Sequence, residues 1–393
     1  MSLFYERIPP ELLEKYAPAK WAAVKEGVIP LFAADPDFRV APEIREAATS
    51  AASEGIYSYG ESYGNRSFRE IIAETLGKRK RIKCTPNDVI VTSGVAQAMM
   101  LVARYACRSG DEAIIFDPVD FLFGRAVDEA GAKRVVSHID KETRELDVEG
   151  LKRLITPKAR LLCLCNPHNP LGRVLRWDEL KAIADLVVDN DLIVMNDEIW
   201  SDIIYSEQRH TPFASLSPEV AAHTVTLQGF SKTFGLAGLN LGYAVATDPE
   251  VMKGLKRVTP GYFYPLNTVS QAAGAAAYKK AWYWADALLR HLEEVRDIAY
   301  RRLNEMPGVC CQKPEGTYVL FPKISSFGLT SEEMTVYLRK EARVGVVPGH
   351  GKEFSYFGPS AEGNIRIVFA TTKPNILEAL DRIESALAKL PHI

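Results

Sequence analysis

The chain has 393 residues, of which 47% are hydrophobic and 25% charged, and its formal net charge is −2. This length is enough for a large core and for more than one domain. Because charges of both signs are interspersed and no apolar run approaches membrane-spanning length, the composition argues against binding to nucleic acid or to a membrane.

The cysteines and the N-terminus predict a cytoplasmic protein. The first residues lack the basic and apolar segments of a signal peptide. Six cysteines are present without CxxC spacing, and Cys163 and Cys165 lie in an apolar run, which favours reduced core thiols over a zinc site. His168 and His210 have no partner at metal-ligand spacing, so we expect no metal site.

Residues 1–45 are predicted to form an N-terminal arm that also contributes to a small domain. Prolines interrupt it, and residues 33–38 read as a loop. Helical spacing over 42–53 is followed by a loop dense in tyrosine and glycine, residues 55–64. Its tyrosines either pack with hydrated hydroxyls or include one, Tyr59, that reaches into a site.

Residues 46–285 are predicted to form a large α/β domain. Apolar runs alternate with helical segments such as 96–107 and 177–189, which indicates a mostly parallel, seven-stranded sheet with right-handed crossovers. The seven predicted strands span 89–92, 112–116, 133–137, 159–164, 192–196, 224–227 and 241–246.

A long helical stretch without proline, 267–304, is predicted to link the two domains. Residues 286–393 then read as a smaller α+β domain. Its predicted strands span 318–322, 345–348 and 364–369, and its predicted helices span 331–342 and 374–388.

Polar groups follow four of the strands of the large domain, at the edge where ligands bind in open α/β sheets. A turn of small residues, 93–97, opens a helix and offers bare N–H groups to an anion. Asn169 lies in the turn 166–172, Asp197 ends another strand, and Ser231 and Lys232 follow a fourth. Together they provide a phosphate cradle, an amide, a carboxylate and an amine.

This set of groups predicts a site for pyridoxal 5'-phosphate (PLP). A partly desolvated Lys232 can form a Schiff base with an aldehyde and later move the Cα proton of a substrate. The carboxylate of Asp197 can keep the pyridine nitrogen protonated, so that the ring acts as an electron sink. Asn169 can donate to the phenolic oxygen. Arg366 interrupts an apolar strand and is expected to bind a substrate carboxylate, with an internal salt bridge as the alternative.

These residues resemble the fold-type I PLP enzymes of the class I/II aminotransferase superfamily, nearly from end to end. The motifs on which this resemblance rests are NPHNPLG at 166–172, NDE at 196–198 and SKTFGLAG at 231–238. The resemblance implies that Lys232 is the Schiff-base lysine, Asp197 the partner of the ring nitrogen, Asn169 the partner of the phenolic oxygen and Arg366 the clamp for the α-carboxylate. It further implies phosphate-binding positions at Gly94, Val95, Ala96 and Ser231.

The resemblance also implies a homodimer with shared active sites, because Tyr59 matches a tyrosine that such enzymes lend to the neighbouring subunit's phosphate. Three positions depart from the aminotransferase pattern. Asp120 replaces an aromatic residue that stacks on the cofactor, Trp200 stands at the cofactor where a tyrosine is usual, and Asn240 replaces a phosphate-binding arginine. An aspartate near the ring face would admit a polar or cationic substrate.

Two activities follow from the resemblance. One is an aminotransferase acting on an L-amino acid and a 2-oxo acid. The other is a β-lyase that releases pyruvate and ammonia, because segments 34–38, 197–202 and 347–349 are similar to the bacterial cystathionine β-lyase-like carbon–sulfur lyases. A non-catalytic effector domain would bring a DNA-binding segment, and a dinucleotide-dependent oxidoreductase would bring GxGxxG after its first strand. Residues 93–98 do not match that motif.

Overall fold

The computed structural model describes residues 8–25, 27–140, 143–259 and 267–391. Twelve strands and thirteen α-helices lie in these ranges, together with short 3₁₀ and π-helical turns. The strands are β1 (Ile29–Pro30), β2 (Val89–Thr92), β3 (Glu112–Asp117), β4 (Lys133–His138), β5 (Ala159–Cys165), β6 (Ile193–Asp197), β7 (Thr224–Gly229), β8 (Gly242–Val245), β9 (Val319–Leu320), β10 (Val344–Gly345), β11 (Val347–Pro348) and β12 (Ile365–Val368).

The helices follow the amphipathic segments of the sequence. They are α1 (Pro10–Tyr16), α2 (Pro42–Ser53), α3 (Arg66–Thr75), α4 (Val95–Ala106), α5 (Phe121–Glu129), α6 (Val148–Leu154), α7 (Trp177–Asp189), α8 (Pro218–His223), α9 (Pro249–Val258), α10 (Thr268–Lys280), α11 (Trp282–Glu305), α12 (Ser331–Tyr337) and α13 (Lys373–Leu387).

The seven predicted strands form one sheet in the order β2-β8-β7-β6-β5-β3-β4. Strand β8 runs antiparallel to both of its neighbours, and the other pairings are parallel. One face of the sheet packs with α4, α5 and α9 in one apolar cluster, and the other face packs with α6, α7 and α8 in a second. Both faces are therefore covered, which is why several of the strands are continuous apolar runs, whereas the edge strand β4 is largely exposed. The predicted fold class is confirmed.

The C-terminal region contains a three-stranded antiparallel sheet, β11-β12-β9. Strand β1 from the N-terminal arm pairs in parallel with β10, so the arm is joined to this region by a strand pairing. The domain boundaries near residues 45 and 285 remain a prediction. The second of them falls inside α11.

The helical stretch predicted over 267–304 is two helices rather than one. Ala281 leaves the helical conformation with φ −110° and ψ 14°, which separates α10 from α11. Just after this turn the buried Trp284 donates to the carbonyl of Arg39, 3.1 Å away. Tertiary packing causes this break, and the sequence contains no proline or glycine there to predict it.

None of the helices in the described ranges combines the length and the apolar character that a membrane crossing needs.

Candidate active site

The carboxyl ends of the central strands lie side by side and form the floor of a cavity. In the sheet register Cys165 is opposite Asp197, and Asp197 is opposite Leu227. The cavity has a volume of about 390 Å³, and we call it the cofactor cavity. Nine of the predicted site residues line it: Gly94, Val95, Ala96, Asn169, Asp197, Trp200, Ser231, Lys232 and Arg366.

The Lys232 amine lies inside this cavity. Its Nζ donates to the carbonyl oxygen of Ala34 at 2.7 Å and lies 5.1 Å from the centre of the Trp200 ring. Burial lowers the pKa of Lys232 to about 8, and the nearby Asp35 carboxylate opposes that effect. The amine therefore loses its proton more easily than an ordinary lysine does, as a nucleophile or a proton acceptor requires.

Asp197 ends β6 and is only 6% exposed. Burial raises the pKa of Asp197 to about 7, although the Ile199 N–H donates to its Oδ1 at 3.0 Å. A carboxylate that is costly to ionise in this position gains from a cationic N–H group bound beside it. The pyridinium nitrogen of PLP is such a group.

A chain of hydrogen bonds joins Asp120, Asn169 and Arg366. The Asn169 amide donates from Nδ2 to Asp120 Oδ2 at 2.8 Å and accepts at Oδ1 from Arg366 Nη1 at 3.2 Å. Arg366 also donates from Nη2 to the carbonyl of Phe32 at 2.9 Å. Among the described residues no carboxylate lies within ion-pair distance of Arg366, so the internal salt bridge considered from sequence is absent. The guanidinium is available to a bound carboxylate.

The start of α4 lines the cofactor cavity. Gly94 has φ +93°, and a Cβ built there would meet no atom within 4 Å, so its backbone faces open space. The first-turn N–H groups of Val95 and Ala96 follow it at a helix N-terminus, where an anion such as a phosphate is stabilised. Ser231 lines the same cavity.

All three positions that depart from the aminotransferase pattern lie at the cofactor cavity. Asp120 and Asn240 line it, and Asn240 adopts a left-handed conformation with φ 48°. Trp200 is buried and packs edge-on against Tyr318, with ring centres 4.5 Å apart. Burial raises the pKa of Asp120. Tyr59, in contrast, lies outside the cavity of its own chain and is 89% exposed.

Sequence reasoning located the loop 33–38 but missed its contacts with the site. The carbonyl of Ala34 accepts hydrogen bonds from Lys232 and from the Tyr318 hydroxyl, the latter at 3.1 Å. Buried Lys20 holds this loop by donating to the carbonyl of Asp35 at 2.8 Å and pairing with Asp37 at 2.9 Å. These are backbone acceptors and long-range contacts, and a local sequence pattern gives no signal for them.

The groups around the cavity fit PLP, because an amine, a buried carboxylate, an amide and helix N–H groups surround one space.

Comparison with known proteins agrees with a PLP site. The model of the family described as aminotransferase class I and II matches residues 26–383. An aspartate aminotransferase from Pyrococcus abyssi is 35% identical over 93% of each chain.

Two solved structures are similar over nearly their whole length. An aromatic aminotransferase from Pyrococcus horikoshii OT3 has a TM-score of 0.86 and 36% identity over 94% of this chain and 97% of the other. Cystalysin from Treponema denticola, which contains PLP, has a TM-score of 0.89 and 25% identity over 99% of each chain. The sequence relatives favour transamination over the lyase alternative. The chain belongs to the aminotransferase class I and II family and is a PLP-dependent aminotransferase.

Proposed function

We propose that this enzyme transfers the amino group of an L-amino acid to a 2-oxo acid, with Lys232, Asp197, Asn169 and Arg366 as the central residues. The observation that carries the proposal is the shared cavity. The lowered-pKa amine of Lys232, the buried carboxylate of Asp197 and the guanidinium of Arg366 all line it. When bound, PLP supplies an aldehyde and an electron-withdrawing ring that stabilises negative charge at the substrate Cα.

Each residue has a role that its chemistry supports. Lys232 Nζ would hold the cofactor at its aldehyde carbon, and its amine can accept and return the substrate's Cα proton. Asp197 holds a negative charge against the ring nitrogen, and Asn169 directs an amide toward the phenolic oxygen. Trp200 lines the cavity and would pack beside the cofactor. Arg366 binds the α-carboxylate of the substrate and so orients Cα toward the amine of Lys232.

The phosphate group is assigned to the start of α4. We propose that Gly94, Val95 and Ala96 bind it through backbone N–H groups, with the Ser231 hydroxyl as a further donor. Tyr59 is proposed to reach the phosphate of a neighbouring subunit, which makes the enzyme a homodimer with shared active sites. We also propose that the enzyme is cytoplasmic, since all six cysteines are free thiols.

Covalent mapping tests the central residue without relying on turnover. Borohydride reduction of the PLP-loaded protein, followed by peptide mass spectrometry, should place the label on Lys232. The Lys232→Ala variant should carry no label and lose nearly all aminotransferase activity. Lys256 provides a matched control, because burial also lowers its pKa, and yet it hydrogen-bonds to the carbonyl of Asn87 on the surface. Label on Lys256, or an active Lys232→Ala variant, contradicts the proposal.

A further inference from the structure

A second cavity, of about 600 Å³, adjoins the cofactor cavity. We call it the outer cavity; its walls include Phe32, Phe121, Val336 and Phe354. Asp120 and Arg366 line both cavities and mark where they meet. If Arg366 holds the α-carboxylate of a bound amino acid, as proposed above, the outer cavity gives its side chain room to extend past Asp120.

The carboxylate of Asp120 is held in place at this junction. Its Oδ1 accepts from the Leu122 N–H at 3.1 Å, as a cap of helix α5, and its Oδ2 accepts from Asn169. The backbone on either side is also fixed, because the N–H groups of Val119 and Phe121 donate to the carbonyls of residues 357 and 356, each at 2.9 Å. The side chain is therefore presented to a ligand in a defined position.

Asp120 has capacity for a further donor. An ionised carboxylate offers about four acceptor positions, of which two are used here. No lysine, arginine or histidine in the described part of the chain forms an ion pair with it. Arg366 is the cation of the same hydrogen-bonded chain, and the amide of Asn169 separates the two. A cation or N–H donor carried by a ligand would occupy one of the two remaining acceptor positions.

The other charged groups of the outer cavity favour the same kind of ligand. Apart from Arg366 and Asp120, its charged side chains are Glu332, Glu353 and Arg339, so carboxylates are in the majority. The remaining wall is largely apolar and aromatic, with the ring centres of Phe121 and Phe354 5.0 Å apart. A side chain with a methylene body and a positive end matches both features, whereas a side-chain carboxylate meets like charge.

We infer that Asp120 determines substrate specificity by selecting L-amino acids whose side chains carry a cation, that is, basic amino acids. This inference rests on the proposed function, because it takes Arg366 as the site of the α-carboxylate. It differs from the substrate in the name of the aspartate aminotransferase relative, whose side chain is an anion.

Substrates of equal length and different charge test the inference. The PLP-loaded enzyme is mixed with lysine, norleucine or 2-aminoadipate, and with the shorter series ornithine, norvaline and glutamate, and the half-reaction is followed through the cofactor spectrum to give KM and kcat separately. At one or both lengths the cation should exceed the neutral analogue in kcat/KM by about ten- to a hundredfold, which is the range for one charge-assisted hydrogen bond. The anion should react most slowly.

Variants assign the effect to Asp120. Asp120→Asn keeps a residue that caps helices and should reduce the preference for the cation at least fivefold, mainly through a higher KM for it. Asp120→Ser serves the same purpose if the asparagine variant does not fold. Glu129→Gln is the matched control, since Glu129 lies at the other end of α5 in an exposed pair with Arg125. It should leave the preference unchanged.

The outcomes separate the two proposals. If the wild type transfers amino groups but neutral or acidic analogues match the basic ones, the specificity inference is overturned and the proposed function stands. A retained preference in Asp120→Asn, or an equal loss in Glu129→Gln, also overturns it. If no amino acid in a broad panel reacts, the proposed function fails, and the inference fails with it.

Discussion

At the scale of single residues, Asp197 and Glu198 are adjacent carboxylates with different surroundings. Asp197 lines the cofactor cavity, whereas Glu198 accepts hydrogen bonds from Asn196 Nδ2 at 2.8 Å and from the Phe213 N–H at 3.0 Å. Burial is the largest cause that raises the pKa of each to about 7. Only Asp197 faces the cofactor cavity, where a bound cationic group can stabilise its ionised form.

The pH dependence of stability follows from these pKa values. The ordinary values are 3.8 for Asp197 and 4.5 for Glu198, so the folded chain without cofactor holds both protons more tightly than the unfolded chain does. Their contribution to stability is therefore fully present below about pH 4 and is lost as the pH rises through about 7. Above that pH the contribution no longer changes.

We expect Asp197→Asn to remove part of this pH dependence in the cofactor-free protein. Between pH 4 and 8 the free energy of unfolding of the wild type should fall relative to the variant by up to about 4 kcal/mol, at 1.36 kcal/mol per pKa unit. Denaturant unfolding across that pH range measures it. Glu198→Gln should show a similar effect of about 3 kcal/mol, but only Asp197→Asn should weaken binding of PLP. Equal loss of PLP binding in both variants would falsify the assignment of Asp197.

At the scale of elements, the end of β2 and the start of α4 depend on a close approach by β8. Gly242 pairs with Thr92 on one side and Gly229 on the other. A Cβ built on Gly242 would lie 2.8 Å from the carbonyl carbon of Gly94 and 3.0 Å from the backbone nitrogen of Val95. Backbone atoms cannot rotate away, so a side chain there must displace the proposed phosphate-binding turn.

Gly242→Ala should therefore weaken binding of PLP more than binding of pyridoxal, which has no phosphate. Overpacking of this kind costs about 1–3 kcal/mol, which corresponds to roughly a five- to 150-fold loss in affinity. Spectral titration of cofactor-free protein with each compound measures the ratio. Gly77→Ala is the control, because the nearest atom to a Cβ there is 4.0 Å away. A variant that keeps its preference for PLP over pyridoxal would place the phosphate elsewhere.

Elements with a strong local pattern were predictable, and elements fixed by distant contacts were not. The strands β2 to β8 lie within two residues of the predicted bounds, and most of them are continuous apolar runs. The position of the cofactor cavity could be predicted from these strands, since parallel strands bring their carboxyl ends to one edge of the sheet. The break at Ala281 and the bonds between 119–121 and 356–357 depend on residues far apart in sequence, for which a single sequence holds no periodic signal.

At the scale of the whole molecule, the loop 55–64 is more exposed than its composition favours. Ile56, Tyr57 and Tyr59 are 68%, 69% and 89% exposed. Neighbouring large apolar side chains on a surface are typical of a contact with another chain. This exposure supports the proposal that the loop belongs to a subunit interface and that Tyr59 completes the site of the partner subunit.

Mixing two inactive variants tests this arrangement. If each site combines Lys232 of one subunit with Tyr59 of the other, a hybrid of Lys232→Ala and Tyr59→Phe subunits contains one site with both native residues. Random reassembly of equal amounts makes half the dimers hybrid, so about a quarter of the wild-type activity should return. Assays at a PLP concentration too low to load the Tyr59→Phe homodimer keep the background low. If both residues served one site within a chain, or if the enzyme were a monomer by light scattering, mixing would restore nothing, because every chain would carry one defect.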